Sequence, residues 1–136
     1  MKDQQLQTIE FIRDIQVKKK RKTLRSAENK LKEVGAAMVN IEEDIKKSRV
    51  NFAVTKEREL SRLFGKTFSI DKLEIIKRKE IENYHYIEQK KSEKDNLGND
   101  WHDKKKKVEI LMKELWGAEK MLIKIQEFVK LEKEKC

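Results

Sequence analysis

The sequence predicts an all-α protein, two long helices forming an antiparallel coiled-coil hairpin, and three observations carry that prediction. The chain has no proline in 136 residues and only four glycines, which argues against the many turns of an all-β fold. Charged residues make up 43% and hydrophobic ones 37%, weighted towards Lys, Glu, Ile and Leu as in long helices and coiled coils. Apolar residues step by three and four on both sides of one turn signal near the chain midpoint. Such polarity could also mean disorder, but disordered chains are rich in Pro, Gly and Ser. A highly charged chain of this length suits an elongated object, which needs less core per residue.

The first arm, about residues 6–64, is read from Leu24, Ala27, Leu31, Val34, Met38, Ile41 and Ile45, followed by Ser48 and Phe52. Their alternating steps make a heptad seam of about four repeats. Upstream, Leu6, Ile9, Ile12 and Ile15 continue an apolar stripe with a phase shift; downstream, Leu60, Leu63 and Phe64 resume after another.

The turn is placed at residues 65–69. Gly65 suits the left-handed position that ends a helix, and Ser69 suits the N-cap of the next. Phe68 and Leu73 occupy the positions of a hydrophobic staple. Asp71 faces the positive end of the helix dipole.

The second arm, about 70–133, opens with Ile70, Leu73, Ile76, Ile81, Tyr84 and Ile87. Its clearest seam is Trp101, Lys104, Val108, Leu111, Leu115, Ala118, Leu122, Ile125 and Val129. Each arm of about 60 residues would extend roughly 90 Å. Folding about residue 67 puts residue i near 134 − i, which sets Gly35-Ala36-Ala37 against the Leu97–Trp101 region. Between Glu88 and Asp100 the only apolar residue is Leu97. A second turn there would give three helices; the preferred reading is a continuous, poorly packed helix that leaves Met38, Ile41 and Ile45 partly uncovered and open to a partner.

Composition and motifs narrow the function classes. The only cysteine is Cys136, so no internal disulfide and no oxidising compartment are indicated. No apolar run approaches the roughly 20 residues that span a bilayer. The opening Met1-Lys2-Asp3-Gln4-Gln5 lacks a signal-peptide layout, and a cytoplasmic protein is expected. Gly65-Lys66-Thr67 copies the end of a phosphate-binding loop, but its leading position is Leu60 and no strand precedes it, so a helix-ending turn is the better reading. His85 and His102 are far apart, with no clustered donors, so neither metal nor cofactor is expected. A two-helix hairpin offers no dry concave pocket, so no catalytic residues are assigned and a non-enzyme is expected.

The basic runs are more informative. The chain carries 34 basic and 25 acidic residues, a net charge of +9. Lys18, Lys19, Lys20, Arg21 and Lys22, with Arg25, lie on the first arm; Lys104, Lys105, Lys106 and Lys107 lie on the second, in the same half of the hairpin. They read either as a solvated face or as an electrostatic surface for an acidic partner. Nucleic acid is disfavoured, because the runs lack interleaved aromatics for base stacking. Phe64, Phe68, Ile70 and Leu73 crowd the turn, where part of the cluster would form an exposed patch.

A basic, proline-free antiparallel hairpin of this size resembles the FliJ/YscO/SctO family, the central-stalk proteins of type III secretion and flagellar export ATPases. The nearest local likeness is Trp101-His102-Asp103-Lys104-Lys105-Lys106-Lys107-Val108 leading to Leu115-Trp116. The resemblance implies a non-enzymatic stalk that binds and activates a hexameric secretion ATPase and links it to the export gate. It implies a bacterial, cytoplasmic protein peripheral to the apparatus at the inner membrane, serving protein transport and, in injectisomes, virulence. Lys18–Lys22, Arg25 and Lys104–Lys107 would then meet acidic loops of the ATPase, and Phe68, Ile70 and Leu73 the export-gate protein. Secretion chaperones are further implied partners, with no nucleic acid and no direct membrane insertion. A coiled-coil scaffold or self-associating structural protein is the rival reading.

Overall fold

The computed structural model describes residues 2–63 and 70–135. The fold is all-α: α1 spans Lys2–Leu63 and α2 spans Ile70–Glu134, and the two pack as an antiparallel coiled-coil hairpin. The expected turn 65–69, with Gly65, Phe68 and Ser69, lies outside the described residues. So do Phe64 and Cys136.

Residues 88–100 are continuous helix within α2, so no second turn interrupts this stretch, and the described residues form two helices and not three. Leu97 is half-buried, and a Cβ on Gly98 would stand 3.8 Å from Met38 Cε. Leu97, this close backbone approach and the Lys94–Glu42 pair lie along the segment. Its partner strip is better covered than the sequence suggested at one position. Ile45 is buried and not partly uncovered, whereas Met38 and Ile41 are half-buried, in keeping with a partly uncovered seam.

The contacts divide the chain into two compact units, residues 1–33 with 102–136, and residues 34–101. In the first, Val17 is 1% exposed and packs with Leu115 and Leu122, with Leu24 and Ala118 against them. Val108 and Val129 are also buried. In the second unit the buried apolar residues are Ile45, Leu63, Ile76 and Ile87. The expected facing of small residues and an indole is present there. A Cβ on Gly35 would lie 3.7 Å from Trp101 Nε1. The pairs Gly35–Trp101, Met38–Gly98 and Glu42–Lys94 put residue i opposite 136 − i, two residues from the expected register.

The seam of α1 needs no upstream phase shift. Leu6, Glu10, Arg13, Val17, Lys20 and Leu24 are all buried or half-buried, and their alternating steps run on unbroken to Phe52. Ile9 and Ile12, expected on the stripe, are 43% and 48% exposed. After Phe52 the covered positions are Lys56, Glu59 and Leu63; the steps from Ser48 to Phe52 and from Phe52 to Lys56 are two successive fours, which locally unwind the repeat. In α2 every seam position from Asn83 to Glu132 is at least half-covered, including Lys90, Lys94 and Lys104. Ile81 and Tyr84, expected in the seam, are instead exposed. Charged side chains occupy seam positions because their alkyl stems cover apolar surface while their heads reach water.

Candidate functional site

The electrostatic surface of the first unit is the best-defined candidate site. It gathers both basic runs, because α1 residues 1–33 and α2 residues 102–136 belong to it. Its sequence holds 20 basic and 12 acidic residues, a net +8; the second unit holds 14 and 13, a net +1. Nearly all the chain's excess charge therefore sits in one unit. Like charges placed this close repel one another.

The individual side chains divide into two groups. Lys18 pairs with Asp14 one turn away at 3.0 Å. Lys20 is half-buried on the seam and reaches Glu114 across the helices at 3.7 Å. Arg21 donates from Nε and Nη2 to Glu119 Oε1 at 3.3 and 3.2 Å. These three already have acidic neighbours, and the inter-helix pairs help fix the register. Lys19, Lys22 and Arg25 are exposed and have no ion pair among the described residues. On α2, Lys104 is half-buried on the seam, whereas Lys105, Lys106 and Lys107 are exposed. Lys104 and Lys105 have interactions of their own within the chain. The free part of the surface is thus carried by Lys19, Lys22, Arg25, Lys106 and Lys107.

Four further lysines on α2 escaped the sequence reading: Lys113, Lys120, Lys124 and Lys130, all exposed. They form no run, so inspection for consecutive charge passes over them. The signal was the seven-residue spacing of Lys106, Lys113 and Lys120, which aligns them on one helix face.

At the other end of α2, Ile70 is 73% exposed and Leu73 is more than one-third exposed. Phe68 lies outside the described residues. The nearby groove lined by Glu59, Arg62, Leu63, Lys72, Ile75 and Ile76 is open to solvent.

The second unit carries a polar lock. Ser48 Oγ donates to Asn83 Oδ1 at 2.7 Å across the half-buried seam. Nearby, Lys94 donates to Glu42 Oε1. That bond, then the ammonium charge, holds the Glu42 carboxyl below its usual pKa, with Lys46 adding to the effect. Lys56–Glu80 at 3.2 Å and Lys79–Glu59 at 3.1 Å continue the series. His85 stacks edge-on against Tyr84 with ring centroids 5.9 Å apart, and Lys90 lies 5.5 Å over Tyr86. Among the described residues, no three His, Cys, Asp or Glu side chains gather where they could hold a metal ion. Compared with family models, curated proteins and solved structures, this chain finds no match.

Proposed function

We propose that the chain is a non-enzymatic stalk of the FliJ/YscO/SctO type, which binds and activates the hexameric ATPase of a type III export apparatus and links it to the export gate. The observation that carries the proposal is the charge asymmetry: +8 on the unit formed by residues 1–33 and 102–136, against +1 on the unit 34–101. A stalk working against equivalent subunits of a ring needs contacts that exchange readily. Exposed ion pairs are individually worth about 0–1 kcal/mol and are screened by salt, so many weak ones give attraction without a deep trap. Ile70 and Leu73, exposed at the start of α2, are the apolar counterpart offered to the gate protein.

The test is stimulation of a purified secretion ATPase by the full chain. The triple change Lys19→Glu, Lys22→Glu and Arg25→Glu, at exposed positions outside the seam, is expected to weaken binding and stimulation. Raising ionic strength should do the same to the unaltered chain. Unchanged stimulation by the triple variant at low salt overturns the assignment. Sedimentation equilibrium addresses the scaffold reading, since a stable dimer or tetramer at micromolar concentration would favour it.

A further inference from the structure

The outward face of α2 in the first unit has a composition that a solvated helix face does not need. Lys106, Lys113 and Lys120 each stand midway between consecutive seam residues, two from each, and so point directly away from α1. Their neighbours three and four residues away include Ile110, Trp116, Ile123 and Lys124. About two turns further on, past Glu127 at the next outward position, come Lys130 and Leu131. Ile110, Trp116, Ile123 and Leu131 are each more than half exposed. None of the five lysines forms an ion pair among the described residues. The only acidic residues on this face between 106 and 131 are Glu109 and Glu127. An outward helix face is mostly polar, whereas this one sets four large, more than half-exposed apolar side chains among its lysines.

We infer that this face docks on an anionic lipid bilayer surface, lying in the headgroup region without crossing it. The charge selects an anionic occupant. Against a second copy of the chain, the five lysines would face one another and repel. Against nucleic acid, Ile110, Ile123 and Leu131 would have nothing to bury into, since phosphate contacts are polar. A lipid interface uses both parts. Lysine heads meet anionic headgroups while their stems lie along the acyl boundary, and Trp and aliphatic side chains enter it. No helix among the described residues is long and apolar enough to cross a membrane, in keeping with a surface mode. The inference stands apart from the ATPase proposal and draws mostly on residues beyond the two basic runs.

The experiment is co-sedimentation of the full chain with phosphatidylcholine vesicles, with and without phosphatidylglycerol, while following tryptophan emission. Binding is expected only to the phosphatidylglycerol vesicles, with a blue shift in emission, and is expected to weaken as salt rises. The double variant Lys113→Glu, Lys120→Glu should lower the partition coefficient by about thirtyfold or more. Trp116→Ser with Ile123→Ser should weaken binding at unchanged charge and abolish the shift. Lys77→Glu with Arg78→Glu, the same charge change in the second unit, should leave most of the binding intact. All six positions are exposed, and circular dichroism confirms that each variant remains helical. Absence of binding to phosphatidylglycerol vesicles at low salt overturns the inference. So does binding that survives Trp116→Ser with Ile123→Ser undiminished, or that falls equally in the second-unit variant. Capture of polyglutamate but not vesicles, dependent on Trp116 and Ile123, would overturn it in favour of an acidic protein partner.

Discussion

Val17 shows how narrowly the hydrophobic stabilisation is concentrated. It is the most completely buried side chain described, held between Leu115 and Leu122, while Ile12 nearby is 48% exposed. Val17→Ala removes two methyl groups from a packed site and should cost about 2 kcal/mol. Ile12→Ala should change stability by less than about 0.5 kcal/mol, as exposed substitutions usually do. Urea unfolding followed by circular dichroism measures both; similar losses at the two positions would place the seam one step away from where it is described. At Glu42 the observable is pH. Its carboxyl pKa is lowered in the fold by the Lys94 hydrogen bond and charge, so the contribution is present above the unfolded carboxylate pKa of about 4.3. It is lost as pH falls through the lower folded value. Glu42→Gln should therefore flatten the acid limb of the stability profile below that pH and change its shape little at neutrality. An unchanged acid limb in the variant would show that the pair contributes nothing.

The helices themselves were largely legible, because period and the absence of breakers determine them without knowledge of the partner. The seam from Leu24 to Phe52 and that from Trp101 to Val129 were visible for the same reason: their members are mostly apolar. What was not legible is the seam where charged stems replace apolar residues. Ile9 and Ile12 drew the stripe off its phase, although the covered positions are Glu10 and Arg13. Ile81 and Tyr84 did the same in α2, where the covered position is Asn83. Hydropathy ranks whole residues, whereas a coiled-coil seam also accepts the carbon stem of a charged one. Asn83 and Ser48 also have a positional role. Ser48→Ala leaves a half-buried amide oxygen without its donor and should cost about 1 kcal/mol. Pairing it with Asn83→Leu should recover stability but loosen the choice of register, as loss of a core polar pair does in coiled coils. Spin labels at Glu43 and Lys91 would read that loosening as a broadened distance distribution; one sharp distance in the double variant would deny the pair its register role. Gly117 gives the opposite expectation. A Cβ there meets nothing within 4 Å, so Gly117→Ala should raise stability by about 1 kcal/mol through helix propensity alone.

At the scale of the whole chain, the uneven charge sets what can be asked of the two units. Sequence inspection located both basic runs and their shared half of the hairpin, because consecutive lysines are conspicuous and a single turn brings equal distances from it together. It could not tell all free cations from engaged ones: the Lys18–Asp14 pair follows an i, i+4 spacing, but Lys20 and Arg21 differ from Lys19, Lys22 and Arg25 in what the other helix sets beside them. That difference can be tested by substitution. If exposed, unengaged charge drives association with the proposed ATPase partner, Lys19→Glu with Lys22→Glu should slow binding and flatten its salt dependence. Arg21→Gln with Glu119→Gln, which removes an internal ion pair at unchanged net charge, should leave the salt dependence nearly intact. The physical basis is that long-range attraction depends on the net field of the unit, to which an internal ion pair, neutral as a whole, adds little. Association rates measured by stopped flow across a salt series separate the two cases. Equal flattening by both variants would mean that the field arises from all the basic residues alike, and that the division into free and engaged side chains has no consequence for binding.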